Sequence, residues 1–281
     1  MTRVSGGIGP RRGPLQRPAP QARHAGVERK SARELELMRQ AGQINAEALA
    51  AMAAAVKPGI TTRELDNIAE RLIVGRGALP AFKGYPGPYP YPFAVTVSVN
   101  DELVHGLPGP RELREGDVVS LDCGTVYQGF YADAAITVGV GNLSPLAARL
   151  IEITEQSLYV GIRLMTPGQR TGDVSAAMQQ YVEDHGFRMV RDYTSHGIGR
   201  NMHEDPEVRY YVKPGTGTLL QPGMTIALEP MVLVGTDRTA VRPDQWTVVS
   251  ANGSLAAHFE HTVAVTAGEP EILTRRAKTG P

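Results

Sequence analysis

VVSLDCGTVYQGFYADAAITV, residues 118–138, reads as two short apolar strands, yet Asp122 and Asp133 sit inside them. Burying an ionised carboxylate without a partner is costly, so each acid needs either water or a neutralising neighbour. The simplest reading is a pair of strand-end aspartates facing solvent, since aspartate is seldom buried.

Working outward, the acids recur. REGDVVSLD (114–122) matches QPGMTIALE (221–229), with Gly116 over Gly223 and Asp122 over Glu229 at an offset of 107. Asp133 opens DAAITV, and Glu260 opens EHTVAV. The segments before the strands repeat as well. Leu35, Met38, Ala41, Ile44, Ala48, Leu49, Met52 and Val56 recur at helical spacing until Lys57-Pro58-Gly59. Thr61 begins a capping box, and Leu65, Ile68, Ala69, Leu72 and Ile73 give the next helix its apolar face. Later, Ser144-Pro145 starts a helix carrying Leu150, Ile153, Leu158 and Ile162, and a further helix carries Thr171, Val174, Met178 and Tyr181. Pro58 and Pro167, Thr62 and Thr171, Leu65 and Val174, and Gly77 and Gly186 are each 109 residues apart.

The chain is therefore an internal duplication. Each half has two helices, then a strand-rich region with two strand-borne acids. Four carboxylates are expected to converge on a pseudo-twofold axis, which argues against two solvated aspartates. Acids so placed repel one another and favour protonation, unless divalent cations lie between them. Imidazoles suit such a site, because first-row divalent metals take mixed nitrogen and oxygen ligands. Alternation is expected to point His258 and His261 away from the Glu260 side chain. His105, in VHGLPG, and His196 and His203, in SHGIGRNMHEDP, remain as candidates in glycine-rich turns.

The bulk properties narrow the class. The chain has 281 residues, 42 % of them hydrophobic, and a formal net charge of zero. That suits a globular protein with a core rather than a globally basic binder of DNA. Cys123 is the only cysteine, so no intrachain disulfide forms, in keeping with a reducing cytoplasm. No apolar run approaches the ~20 residues that span a bilayer, and no secretory signal opens the sequence. Residues 1–33 are expected to form a disordered tail rich in Pro and Gly. Residues 1–30 hold seven basic residues against one acid. Such a tail could dock on an acidic or RNA surface such as a ribosome, the competing reading being a solvated tail without a partner. Residues 34–281 are expected to be one catalytic domain.

The motifs SVNDELVHGLP (98–108), LDCGTVYQGFYADAAITV (121–138), HGIGRNMHEDP (196–206), TIALEP (225–230) and FEHTVAVT (259–266) occur in this order. With them the chain resembles type I methionine aminopeptidases across roughly residues 34–275. The resemblance implies an α/β (α+β) pita-bread fold: a curved antiparallel sheet backed by two pairs of helices. It implies that Asp122, Asp133, His196, Glu229 and Glu260 hold two divalent ions (Co, Mn, Fe or Zn), with Asp133 and Glu260 bridging them. It further implies removal of the N-terminal methionine from peptides and nascent chains. A metal-activated water would attack the first peptide bond, with Glu229 shuttling the proton and His105 and His203 contacting the scissile amide and carbonyl. A small second residue is expected in the substrate, and a monomer is expected.

The methionine pocket is implied to include Phe82, Tyr85, Met202 and Trp246. YPGPYPYPFAVT (85–96) departs from the family pattern, running about three residues longer than expected, with alternating prolines that favour a stiff extended loop. Thr96 stands where a cysteine is usual, and Met202 where an aromatic is common. Two other readings compete. An X-Pro peptidase of this fold needs a longer N-terminal domain, and a non-enzymatic binding module has no need of all five ligands.

Overall fold

The structure, a computed structural model, describes residues 26–275. Most of the expected tail, residues 1–25, lies outside the described residues. The first half contains α1 (Ala32–Ala55), α2 (Thr62–Gly75), β1 (Leu79–Pro80), β2 (Thr96–Val99), β3 (Glu102–Val104), β4 (Val118–Tyr127) and β5 (Phe130–Gly139). The second begins with α3 (Pro145–Arg163), α4 (Thr171–Asp184), β6 (Arg188–Met189), β7 (Thr194–Gly197), β8 (Glu204–Arg209) and β9 (Thr225–Leu228). It continues with β10 (Met231–Leu233), β11 (Thr239–Val241), β12 (Val248–Ser250), β13 (Ala256–His258), β14 (Glu260–Ala264) and β15 (Glu271–Ile272).

The helix starts follow their caps. Ser31 Oγ accepts from Glu34 N and the Glu34 carboxylate accepts from Ser31 N, so α1 begins before the expected boundary at residue 34. The preceding residue is tied down as well. Lys30 donates its backbone N–H to the Gly223 carbonyl at 2.7 Å, and its buried ammonium lies 2.6 Å from the Glu204 carboxylate. The last residues of the expected tail therefore pack on the folded body, because the cap and the ion pair hold them there. Thr61 caps α2 through the expected box, and Ser144 caps α3 with Pro145 in its first turn.

The duplication is visible in the backbone. Thr62 N donates to the Arg111 carbonyl, and Thr171 N donates to the Thr218 carbonyl. Isolated bridges join Thr61 to Glu112 and Arg170 to Leu219. The same clasp thus forms at the start of α2 and of α4.

The main sheet runs β1-β4-β5-β14-β9-β7-β8, with β2 also on β4 and β15 on β14, all in antiparallel pairs. Strands from the two halves meet where β5 pairs with β14 at its centre. Residues of β4 and β5 alternate between two faces. Leu121, Cys123, Ala134 and Ile136 join the core with Leu49 and Met52 of α1, Leu65 of α2, Leu150 of α3 and Met178 of α4. Each fully buried large aliphatic side chain contributes roughly 1.5–3 kcal/mol. This covered face anchors the sheet, and the acids lie on the other one.

Candidate functional site

β4 and β5 form a tight hairpin. Gln128 and Gly129 both have positive φ, at 48° and 84°, the conformation a two-residue turn of matching twist needs. The hairpin fixes the register: Ala135 lies opposite both Asp122 on β4 and Glu260 on β14. Asp133 is two residues before Ala135 and shares its face. Glu229 immediately follows β9, whose Leu228 pairs with His261. His196 on β7 pairs with Ala227 of β9. Asp122, Asp133, His196, Glu229 and Glu260 consequently line one cavity of about 560 Å³.

The backbone around these residues is held firmly. The Thr262 hydroxyl accepts from Asp133 N at 2.9 Å and donates to the Asp133 carbonyl at 2.8 Å. The Ser195 hydroxyl accepts from Glu229 N at 2.8 Å, and the Tyr210 hydroxyl donates to the Glu229 carbonyl. The carboxylates are otherwise. Asp122 Oδ1, Asp133 Oδ1 and Glu260 Oε1 are buried without a hydrogen-bond partner. Burial, then the neighbouring acids, pushes the Asp133, Glu229 and Glu260 carboxyls well above their ordinary range.

His196 Nδ1 lies 2.8 Å from the Gly197 carbonyl, which can only accept. Nδ1 therefore carries the proton and Nε2 keeps its lone pair, as a metal-binding imidazole requires. Burial drives His196 further toward the neutral form. Asp133, His196 and Glu260 each offer a ligand atom within 4.8 Å of the others. Orphaned carboxylate oxygens beside a neutral imidazole are a donor set that fits divalent cations.

The remaining expected residues surround this floor. Phe82, Tyr85 and Met202 pack together with Ala81 and Val126. Gly124, directly opposite Asp133 on β4, makes room for them: a Cβ there would lie 2.8 Å from both Ala81 and Phe82. The Tyr85 hydroxyl is 2.7 Å from His203 Nδ1, and the His196 and His203 ring centroids are 4.2 Å apart. Trp246, also in the cavity lining, meets His105 edge-on, with ring centroids 6.3 Å apart. His105 adopts φ of +60°, an uncommon conformation for a residue with a Cβ, and burial lowers its affinity for a proton.

The proline-rich loop closes on the same tryptophan. Tyr89 and Tyr91 meet Trp246 edge-on at 6.1 and 5.1 Å, and Tyr89 donates to the Asp244 carbonyl at 2.9 Å. Gly87 permits the contact, since a Cβ there would lie 2.4 Å from the indole.

One expectation fails. His258 does not point away from the acids: its Nε2 lies 3.8 Å from Asp122 Oδ2. Residues two apart along an extended chain share a face, so His258 follows Glu260 toward the cavity side, while His261 turns to Thr274 at 2.9 Å. That period-two spacing was the signal in the sequence. Thr96, the departure from the family pattern, lies opposite Asp122 and donates to its Oδ2 at 3.5 Å.

The profile of metallopeptidase family M24 matches residues 36–267. The methionine aminopeptidase of Clostridium perfringens is 50 % identical over 245 residues, covering 87 % of this chain and 97 % of that protein. Methionine aminopeptidase 1 of Bacillus subtilis is 47 % identical over 246 residues, covering 88 % and 98 %. Among solved structures, the methionine aminopeptidase of Thermotoga maritima superposes with a TM-score of 0.87 at 44 % identity, over 89 % of this chain and all of that one.

Proposed function

This chain belongs to metallopeptidase family M24 and groups there with the methionine aminopeptidases; from that membership we propose that it removes N-terminal methionine from peptides and nascent chains, preferring a small second residue. The observation that carries the reading is the set of buried, unpartnered carboxylate oxygens around His196 on the cavity floor. Asp122, Asp133, His196, Glu229 and Glu260 would hold two divalent ions drawn from Mn, Fe, Co and Zn, which polarise a carbonyl and acidify water when bound.

The protein's own groups supply the rest. Phe82, Tyr85, Met202 and Trp246 wall an apolar pocket for the methionine side chain. The loop of residues 85–96 stiffens that wall through Tyr89 and Tyr91. Glu229 takes a proton from the attacking water and passes it to the leaving amide nitrogen. The Tyr85 hydroxyl on His203 Nδ1 leaves Nε2 to donate toward the carbonyl oxygen as negative charge develops. His105, in the same cavity lining, contacts the scissile amide and assists its departure.

Among the described residues no helix is long and apolar enough to cross a membrane. We place the enzyme in the cytoplasm as a monomer, and we assign to its basic N-terminal segment a contact with a ribosome. The test is hydrolysis of Met-Ala-Ser by the full chain, stripped with a chelator and retitrated with each metal. Activity lost on stripping and restored by one or two equivalents is expected. A folded protein inactive with every metal would overturn the reading in favour of a binding module. Preferential cleavage of X-Pro peptides would favour an X-Pro peptidase instead.

A further inference from the structure

His258 ends β13, and its side chain is fully buried, at 0 % exposure. Its backbone is well served. The Thr137 hydroxyl accepts from His258 N at 3.1 Å and donates to its carbonyl at 2.6 Å, and Met231 pairs with it across β10 and β13. The ring has no such support: neither Nδ1 nor Nε2 has a hydrogen-bond partner. A buried imidazole with both nitrogens unmatched contributes nothing to the fold that a leucine of similar bulk would not.

What the ring faces is Asp122. Nε2 lies 3.8 Å from Oδ2, on the oxygen that also accepts from Thr96. The other oxygen, Oδ1, has no partner. The two oxygens are thus differentiated: Oδ2 faces Thr96 and His258, and Oδ1 is left open. A ligating carboxylate is commonly oriented in this way, by a donor that bonds its remaining oxygen. The separation of 3.8 Å is longer than a hydrogen bond, so a sub-ångström adjustment of the carboxylate or ring would complete the contact.

We propose that His258 is a positioning residue for the metal centre: its Nε2–H holds Asp122 Oδ2 and presents Oδ1 to the cation. The proposal rests on the metal-dependent reading above and adds to it a residue outside the five ligands.

The experiment measures binding of Mn²⁺ alone to the metal-stripped full chain by calorimetry, with the thermal midpoint of each stripped protein as the folding control. His258→Leu fills the space without a donor, and its tightest Mn²⁺ site is expected to weaken about 10- to 100-fold. His258→Gln keeps a donor at similar reach and is expected to stay within about threefold of the unaltered protein. His258→Asn, polar but shorter, is expected to behave like leucine and decides the matter if the leucine variant misfolds. Equal Mn²⁺ affinity in a folded leucine variant, or in the asparagine and glutamine variants, would overturn the role of His258. Failure of the unaltered protein to bind Mn²⁺, Co²⁺, Fe²⁺ or Zn²⁺ would instead overturn the metal reading itself.

Discussion

The two halves of the duplication carry their acids on different frames. In the first half, Asp122 and Asp133 sit within ten-residue strands joined by a two-residue turn. In the second, Glu229 follows a four-residue strand and Glu260 opens a five-residue one. The 30 residues between those two acids form β10–β13, which build two small side sheets with β6 and β3. The uninterrupted hairpin gives the centre rigid register. The interrupted one brings Trp246 over the cavity and His258 behind Asp122. Duplication supplied a symmetric set of acids, and breaking one copy made room for Trp246 and His258 beside them.

If both frames serve one metal centre, damage to either should be equally severe. Asp133→Asn and Glu260→Gln keep side-chain shape and remove a charge from each half. Both are expected to lower kcat/KM for Met-Ala-Ser by about 10³-fold or more and to reduce bound metal. Elemental analysis beside steady-state kinetics makes the comparison. Near-normal metal content and activity in either variant would show that the centre leans on one half.

How much of this was legible follows the range of each interaction. Thr61 and Ser144 mark helix starts because capping joins residues three apart, within reach of a sequence pattern. The acids became legible through repetition, since Asp122 and Glu229 occupy matching strand positions. Ser31 is also a local cap, yet it directly follows the basic stretch that ends at Arg29 and Lys30, which masks the start of the helix. Lys30 gave no sign of its role because its partner, Glu204, is 174 residues away. The wall of Phe82 and Met202 over Gly124 is a product of tertiary packing, which residue spacing does not show and only the family resemblance implied. The side on which His258 lies is within reach of the sequence, for its period-two spacing from Glu260 places the two on one face.

A smaller effect separates the helix layers. Gly42 on α1 and Gly161 on α3 both lie in helices that back the sheet, where alanine would normally add roughly 0.5–1 kcal/mol. A Cβ at residue 42 would lie 2.2 Å from the Leu273 carbonyl oxygen, a backbone atom. At residue 161 it would meet Met178 Sδ at 2.5 Å and Cγ at 2.8 Å and Leu228 Cδ2 at 3.0 Å, all on side chains, of which the methionine is unbranched and adaptable. Gly42→Ala is expected to cost about 2 kcal/mol or more, and Gly161→Ala to stay within about 1 kcal/mol of the parent. Urea unfolding midpoints at constant slope give both values. Equal losses would mean that the packing around Met178 is as unyielding as the chain near Leu273.

The finest distinction lies at the clasps that begin α2 and α4. Both cap residues are extended, with φ and ψ of −84° and 150° at Thr61 and −117° and 159° at Arg170. Thr61 Oγ1 accepts from Glu64 N at 3.2 Å, and the Glu64 carboxylate accepts from Thr61 N at 2.8 Å. At α4 the Asp173 carboxylate accepts from Arg170 N at 2.7 Å, but the arginine side chain makes no cap bond in return. The second half therefore has half of the box. Thr61→Ala is expected to destabilise by about 1 kcal/mol, and Arg170→Ser, which restores the missing acceptor, to stabilise by about 0.5–1 kcal/mol. The arginine now donates to the Gly217 carbonyl at 2.9 Å from an exposed position. Water can replace that bond, so its loss should weigh less than the new cap. A drop in stability for Arg170→Ser would reverse this ordering and make the Gly217 contact the second half's substitute for a cap.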